Sequence, residues 1–247
     1  MKLIAIDIGN TSIHAAAHNG RKWTSEYRLA TKSSKKDRKV FLKKILRAHP
    51  GYCVSIASVV PKLGREIREY LERKSDRRVQ LIGVDRKVPI KNLYRNPAQV
   101  GVDRLLNAYA AYRRFKREMI IIDFGTAITF DVVSKKGEYL GGVISPGIEL
   151  SLDALFERTA LLPKIKLAHP RESVGRDTVE SIRIGCSVGI GGLCDRVVET
   201  IKKTHQMTPL VLATGGYAPF MKKYCRSIDR VSQKLILEAI REISLTK

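Results

Sequence analysis

The feature that most constrains this chain is a short segment that occurs twice, once at the start and once near the middle. Leu3–Thr11 and Ile120–Thr126 each form an apolar run that ends in Asp-x-Gly with a threonine close behind. The two aspartates, Asp7 and Asp123, are separated by nearly half of the 247 residues. Self-similarity at that spacing indicates two related halves, each opening with the same strand–turn–strand unit. We therefore expect a duplicated domain with a cleft between its two copies.

Short apolar runs alternate with helical patterns along the rest of the chain. Apolar residues recur at helical spacing in Arg38–Ala48 and Leu63–Lys74, and a strand-like run follows each of them. Strands that alternate with helices are typical of an α/β domain with a largely parallel core. We expect two such domains, covering residues 1–117 and 118–247.

Two further helical stretches are predicted next to candidate functional residues. One is Leu105–Phe115, and the loop that leads into it contains Asp103. The other is Thr178–Lys203, in which glycines occur at positions 185, 189, 191 and 192. Glycine destabilises an isolated helix, so these positions predict either a break or a close packing contact.

The chain is strongly basic, with a formal net charge of +22. The basic residues concentrate in four segments, which are Lys32–Lys44, Arg65–Arg78, Arg113–Arg117 and Lys222–Arg230. Such segments can bind nucleic acid through counterion release, or they can form a solvated surface that attracts small anions. Each segment contains only a single aromatic residue, and none contains a known nucleic-acid-binding motif, which disfavours nucleic acid as the main partner. The reason for the surplus charge stays open.

Cysteine usage and hydropathy indicate a cytoplasmic protein that does not associate with a membrane. The four cysteines include no C-x-x-C pair, a pattern typical of reduced thiols. Met1–Ile8 is too short for a signal peptide, and Asp7 interrupts it. No apolar run approaches the ~20 residues needed to span a bilayer.

The repeated segment has a composition suited to phosphate binding. Glycine allows a tight turn and lets a phosphate approach the backbone without a Cβ in the way. Turn N–H groups and threonine hydroxyls can donate to phosphate oxygens, and an aspartate at the strand end can hold Mg²⁺ or another cation. One Asp-x-Gly is weak evidence because such turns are common in hairpins, but two copies at half-chain separation favour a functional role.

A third glycine-containing segment, Thr214-Gly215-Gly216, follows a predicted strand and precedes a short helical segment. Two residues without side chains would let a base or ribose lie against the backbone. The alternative is a plain strand-to-helix turn.

With these motifs in place, the chain resembles the actin and sugar-kinase superfamily, and within it the type III pantothenate kinases over essentially its whole length. The similarity is carried by Asp7–Thr11, Tyr94–Pro97, Gly101–Arg104, Asp123–Thr129, Gly141–Gly147, Gly175–Thr178 and Thr214–Gly216. The resemblance implies an α/β fold of two duplicated ribonuclease H-like (actin-like ATPase) domains with a nucleotide cleft between them. It also implies transfer of the ATP γ-phosphate to pantothenate, the first step of coenzyme A synthesis.

The resemblance further implies residue roles. Asp103 would be the general base, and Asp123 would lie at a monovalent-cation site for K⁺ or NH₄⁺. The nucleotide would contact Asp7, Ile8, Gly9, Asn10, Thr11, Ser12, Ile13, His14, Thr126, Gly215 and Gly216, with Mg²⁺ accompanying ATP. Pantothenate would contact Tyr94, Gly101, Val102, Asp103 and Arg104. The family is dimeric, and Thr178 would reach pantothenate across the subunit interface of a homodimer.

Residue chemistry is consistent with these roles and leaves alternatives open. A carboxylate near an acceptor hydroxyl can take its proton as the bond to phosphorus forms, and an arginine fork can hold a carboxylate. By spacing alone, Asp103 could instead be a helix N-cap, and Arg104 could be a member of a surface salt bridge. The chain as a whole could be a regulator of the same fold, like the Bvg accessory factors, or another kinase or phosphohydrolase of the superfamily.

Overall fold

Two sheets and their flanking helices organise the chain, and the structure, a computed structural model, describes residues 1–74 and 77–246. The strands are β1 (Leu3–Ile8), β2 (Ser12–His18), β3 (Trp23–Ala30), β4 (Cys53–Ser58), β5 (Val79–Leu81), β6 (Lys91–Asn92), β7 (Met119–Phe124), β8 (Ala127–Val133), β9 (Glu138–Pro146), β10 (Leu210–Thr214) and β11 (Arg230–Val231). The helices are α1 (Lys35–Ala48), α2 (Pro61–Lys74), α3 (Val102–Phe115), α4 (Ile148–Arg158), α5 (Thr178–Ile184), α6 (Ile190–His205), α7 (Ala218–Met221) and α8 (Leu235–Leu245).

The first compact unit contains Met1–Ile90, Arg95–Ala110 and Lys234–Lys247. Its sheet has the order β3-β2-β1-β4-β5, in which β1 pairs antiparallel with β2 and parallel with β4. The C-terminal helix α8 packs on this sheet, and Ser244 Oγ donates a hydrogen bond of 2.7 Å to Ser55 Oγ on β4. The last helix of the chain therefore belongs to the core of the N-terminal sheet.

The second unit contains Lys91–Tyr94 and Ala111–Gln233. Its sheet has the order β11-β10-β7-β8-β9-β6. Strand β7 pairs antiparallel with β8 and parallel with β10, and β10 pairs parallel with β11. Five of these strands therefore repeat the order and directions of the first sheet, and β6 is added at one edge.

The repeat extends to which side chains are buried. In both β1 and β7, the first four residues and the last are buried, while the aspartate before the last is half-buried. Strands β2 and β8 also share one burial pattern from end to end. Together with the strand order, this equivalence confirms the predicted α/β fold with a duplicated architecture. The division at residues 117 and 118 stays a prediction.

The helices differ from the sequence prediction in two places. Helix α3 begins at Val102 rather than Leu105, because Leu105 N–H donates to Gly101 O and so brings Asp103 into the first turn. The long stretch from Thr178 is α5 and α6 joined by a π-helical turn. A Cβ at Gly191 would overlap the carbonyl oxygen of Tyr224, so this glycine makes the predicted close packing contact.

Membrane-spanning helices are absent from the part of the chain that the structure describes, since no helix there combines the necessary length and apolar character.

Candidate active site

The first repeated hairpin forms a three-residue loop between β1 and β2. Asp7 lies opposite His14 in the ladder, and Gly9 N–H donates to Ser12 O over 3.0 Å. Thr31, which directly follows β3, holds the loop from the side. Its Oγ1 donates to Gly9 O at 2.7 Å, and its N–H donates to Thr11 O at 2.9 Å. The loop is therefore fixed at its base, while its tip is exposed at Asn10 and Thr11.

Glycine at the two hairpin turns is not required by the turn itself. Neither Gly9 nor Gly125 has a positive φ. A Cβ at Gly9 would have its nearest neighbour, Ser12 O, at 3.4 Å, and one at Gly125 would meet its nearest atoms at 3.6 Å. These are ordinary contact distances, so an alanine fits both turns. The sequence suggests two reasons for glycine at these positions, a tight turn and the close approach of a ligand. Since the turn does not need glycine, the close approach of a ligand remains.

Asp103 lies at the same sheet edge as the first loop. Val59, directly after β4, donates its N–H to Ile8 O at 3.0 Å. A Cβ at Gly101 would lie 3.7 Å from Val59 Cγ1, and one at Gly83, just after β5, would lie 3.2 Å from Val102 Cγ2. The carboxyl ends of β1, β4 and β5 therefore meet the start of α3. Carboxyl ends of parallel strands are where α/β folds bind ligands.

The carboxylate of Asp103 is held beside its own helix backbone. Oδ1 accepts a hydrogen bond of 2.8 Å from Arg104 N–H. An N-cap would instead accept from the second or third helical residue, so Asp103 is not a cap. Burial raises the pKa of Asp103 above its usual value, and the Arg104 N–H and guanidinium offset part of that effect. A raised carboxyl pKa is typical of a general base.

Arg104 is buried, with 8% of its surface exposed, so it is not a member of a surface salt bridge. A buried guanidinium is costly unless it is satisfied by hydrogen bonds or opposite charge. Because Arg104 directly follows Asp103, its positive charge lies close to the candidate base.

The second hairpin is enclosed by two glycine-containing segments. Asp123 pairs with Thr129 on β8 and with Thr214 on β10. Gly215 has φ +89°, and a Cβ there would overlap Oδ1 of Asp123 and lie 2.6 Å from Phe124 O. A Cβ at Gly147 would overlap Thr126 O. The segments Asp123–Thr126, Ser145–Gly147 and Thr214–Gly216 thus converge, although they are distant in the sequence.

Oxygen atoms suitable for a hard cation occur at this second hairpin. The Asp123 carboxylate and the Phe124 carbonyl both lie against Gly215, and K⁺, NH₄⁺ and Mg²⁺ all prefer such oxygen partners. Within residues 1–74 and 77–246, no group of three or more His, Cys, Asp or Glu side chains is placed to hold a metal ion. The residues fit a cation that one carboxylate shares with phosphate and water oxygens, which is how Mg²⁺ is commonly held.

His14, predicted to contact the nucleotide, is directed toward Glu26. Its Nε2 lies 3.1 Å from Glu26 Oε2, and Lys234 forms an ion pair with the same carboxylate. Burial and the nearby Arg28 charge lower the pKa of His14, and the hydrogen bond to Glu26 opposes them. His14 thus links β2 to β3 and to the start of α8.

Tyr94 and Thr178, both predicted to contact substrate, lie on separate elements of the second unit. The Tyr94 ring covers Gly141, where φ is +128° and β9 bulges against β8. Thr178 is exposed and is the first residue of α5, whose N-cap is Asp177. Thr178 also lines a mostly apolar cavity of about 1030 Å³, together with residues of α4 such as Leu155.

Several residues that shape these loops were not identified from the sequence. Thr31 and Val59 fix the first loop, and Gly147 approaches the second. Glu180 accepts backbone hydrogen bonds from Arg171 and Glu172 and so holds the segment before α5. Thr31 and Val59 have no motif of their own, since they act through backbone groups, whereas Gly147 lies within one of the segments noted for the resemblance.

Comparison with known proteins gives consistent results over nearly the whole chain. A family model described as "Type III pantothenate kinase" matches residues 3–200. A protein of that name from Anaeromyxobacter sp. (strain K) is 40% identical over 246 residues, which cover 97% of each chain. Another from Myxococcus xanthus (strain DK1622) is 37% identical over 248 residues, with 98% and 97% covered.

Solved structures with similar folds are much more distant in sequence. A protein from Campylobacter jejuni, provisionally described as a conserved Baf family transcriptional activator, has a TM-score of 0.61 at 18% identity, with 97% and 96% of the chains covered. A ROK family glucokinase from Streptomyces griseus has a TM-score of 0.56 at 12% identity, with 98% and 99% covered. At these identities the similarity concerns the fold alone.

Proposed function

Because this chain belongs to the type III pantothenate kinase family, we propose that Asp103 is the general base in the reaction that defines the family. The chain is a phosphotransferase with an alcohol acceptor: it phosphorylates pantothenate with ATP in the first step of coenzyme A synthesis. A transcriptional regulator of the same fold is not favoured, since the relatives that match along the full length are named as kinases.

One observation carries the proposal for Asp103: a carboxyl group of raised pKa lies at the sheet edge that also holds the first loop. In the proposed step, the primary hydroxyl of pantothenate attacks the γ-phosphorus of ATP, and its proton passes to the Asp103 carboxylate. The bond between the γ-phosphorus and the bridging oxygen breaks, and ADP leaves with that electron pair. Positioning and charge neutralisation contribute more to such transfers than covalent catalysis does.

The two hairpins have separate proposed tasks. In the first, Asp7 to His14 would hold the phosphates, with loop N–H groups and the hydroxyls of Thr11 and Ser12 as donors. In the second, Thr126 would bind ATP, and Gly215 and Gly216 would lie against the nucleoside. Mg²⁺ and a monovalent cation at Asp123 would supply positive charge that the phosphates need.

Pantothenate carries a carboxylate and a primary alcohol, and both ends need partners. We assign Arg104 to the carboxylate because its planar fork can donate two hydrogen bonds. Gly101 and Val102 would contact the substrate through the backbone near Asp103, and Tyr94 would supply an aromatic surface. A cytoplasmic location is part of the same proposal, because ATP is available there.

A homodimer is proposed as the functional unit. Several large apolar side chains of the second unit are exposed, including Leu161 at 91% and Val174 at 75%. Where such side chains form a contiguous patch, they often mark an interface between subunits. Thr178, on α5 near Val174 in sequence, would contact pantothenate bound to the partner subunit.

The test of the proposed base is Asp103→Asn, with Asp37→Asn on α1 as the matched amide control. We expect kcat to fall about 10²–10⁴-fold in the first variant, the range for loss of acid–base catalysis. Binding of a non-hydrolysable ATP analogue, measured by calorimetry, should be retained. A kcat close to that of the unaltered protein would remove Asp103 as the base.

A further inference from the structure

Two of the four basic segments in the sequence come together in the first unit. Segment Lys32–Lys44 contains most of α1, and Arg65–Arg78 contains most of α2. Glu66 on α2 pairs with Lys35 at 3.6 Å and with Arg38 at 3.7 Å on α1, so the two helices lie side by side. The proposed kinase reaction uses no residue of either helix.

A groove of about 560 Å³ runs between the two helices. Its basic lining residues are Lys35, Arg38, Lys39, Arg73 and Lys74. Leu42 and Ile67, both buried, form an apolar floor. The acidic lining residues are Glu66 and Glu69, so five positive charges face two negative ones. We name this feature the α1–α2 groove.

The positive charge of the groove is only partly neutralised. Glu66 is shared between Lys35 and Arg38, and Glu69 pairs with Arg73 at 3.8 Å. Across residues 1–74 and 77–246, Lys39 has no acidic partner within ion-pair distance. An exposed ammonium group without a partner is available to an anion that enters the groove.

A buried hydroxyl group gives a second, independent indication of a ligand. Tyr70 lines the groove and is 9% exposed, and its hydroxyl has no hydrogen-bond partner among the described residues. Buried polar groups are nearly always satisfied, because an unsatisfied one costs about 1–3 kcal/mol. The hydroxyl oxygen itself is covered, so it can donate to a phosphate oxygen once a neighbouring side chain of the groove moves aside, and lysine and arginine side chains around it would supply the countercharge.

We propose that the α1–α2 groove is a second anion site, separate from the kinase site, that binds a small molecule carrying adjacent phosphate groups. Ammonium groups, guanidinium forks and a phenol are together suited to several phosphate oxygens at once. A small molecule is favoured over nucleic acid because the site is a groove that contains two carboxylates. Among the described residues that line it, none offers an exposed aromatic ring on which a base could stack.

The experiment uses the full chain with its kinase site saturated by Mg²⁺, a non-hydrolysable ATP analogue and pantothenate. Inorganic tripolyphosphate is then titrated and followed by calorimetry, and we expect one further binding event per chain. The double variant Lys35→Ala/Lys39→Ala should weaken this event about tenfold or more, since charged hydrogen bonds are lost. Its kcat with ATP and pantothenate should be unchanged, which separates this proposal from the kinase assignment.

The matched control is Lys36→Ala/Lys43→Ala, which removes the same charge from α1 outside the groove. It should change the affinity less than twofold. Tyr70→Phe deletes only the hydroxyl and should weaken binding severalfold while the thermal unfolding curve stays cooperative. A repeat of the titration with ADP shows whether a nucleoside adds to the affinity, and binding of either probe supports the site.

Three results would overturn the proposal. One is the absence of any binding event beyond the kinase site. Another is equal weakening by both double variants, which would mean diffuse attraction to a basic surface. The third is tighter binding of a duplex of about 20 base pairs to the same residues, which would make this a nucleic-acid surface.

Discussion

The backbone of Gly101 lies directly against the carboxylate of Asp103, so that a Cβ at position 101 would overlap Oδ1. Gly101 does not have a positive φ, so its backbone conformation alone does not require glycine. The requirement comes from the neighbouring carboxylate. The residue before α3 therefore decides where the proposed base points.

Gly101→Ala should displace the Asp103 carboxylate without unfolding the protein, because a short side chain can rotate away from the new methyl group. We expect kcat to fall by about 100-fold, the effect of a misplacement of roughly 1 Å. The control is Gly192→Ala on α6, where, among the described residues, no heavy atom beyond the helix's own backbone lies within 4 Å of a new Cβ. It should keep kcat and stabilise the helix by up to ~1 kcal/mol. Steady-state kinetics and thermal unfolding are measured for both variants. A normal kcat for Gly101→Ala would contradict the proposed dependence of Asp103 on the neighbouring glycine.

The pH dependence of kcat/KM should report the ionisation of Asp103. Burial raises the pKa of this carboxyl group, and only its ionised form can accept a proton. Activity should therefore be complete above the raised pKa and fall about tenfold for each pH unit below it. A profile of kcat/KM against pH at constant ionic strength measures this acidic limb, the pH range in which activity falls. If the limb lay at or below the ordinary aspartate pKa of about 3.9, the proposed environment of Asp103 would be wrong.

The two consecutive glycines after β10 should respond differently to alanine. Gly215→Ala places a methyl group against Asp123 at a φ of +89°, so we expect a clear loss of thermal stability and of ATP binding. At Gly216 a new Cβ would have no atom of the described part of the chain within 4 Å apart from its chain neighbours, so Gly216→Ala should fold normally. If a nucleoside rests on that residue, the affinity for an ATP analogue should still drop severalfold. Unchanged affinity in a folded Gly216→Ala protein would remove this residue from the nucleotide site.

Monovalent cations should change the activity through Asp123. Replacing Na⁺ with K⁺ or NH₄⁺ at constant ionic strength should raise the rate, because these larger ions give up their hydration water more easily than Na⁺ does. The effect should disappear in Asp123→Asn, while Asp37→Asn should keep it. A rate that does not depend on the cation would argue against a monovalent-cation site at the second hairpin.

The proposed dimer makes a prediction about mixed subunits. Thr178→Ala should raise KM for pantothenate more than KM for ATP. In mixtures of Thr178→Ala and Asp103→Asn chains, some heterodimers would pair an intact base with an intact Thr178 from the partner. Part of the activity should then return. No recovery after confirmed subunit exchange would show that Thr178 does not act across an interface.

The sequence predicts the repeated hairpins and their environment well, because local composition determines them. A run of buried apolar residues, a half-buried aspartate near its end and a turn glycine all lie within each first strand and the turn that follows it. The contact of Gly215 could not be predicted, since it depends on how the distant Asp123–Phe124 segment packs. The contact of Gly101 is local, but it depends on the side-chain conformation of Asp103, which the sequence does not specify. The early start of α3 was also missed, because one local backbone hydrogen bond, from Leu105 N–H to Gly101 O, extends the helix beyond the apolar pattern.

The side-by-side placement of α1 and α2 likewise lies beyond the sequence pattern. Two basic segments separated by β4 gave only a surplus of charge, with no indication that they would face each other. Glu66, which joins them through ion pairs to Lys35 and Arg38, is an ordinary helical glutamate in the sequence. Only the packing of α1 against α2 brings these basic residues together in the α1–α2 groove.

The loop between β1 and β2 contains three residues and the loop between β7 and β8 contains two, although the strands beneath them are buried in the same pattern. After an ancestral duplication, insertions and substitutions at the tips could accumulate in one half without disturbing the packing of either. The loop of each half could therefore acquire its own binding role, while the strands of both halves kept the same pattern of buried residues.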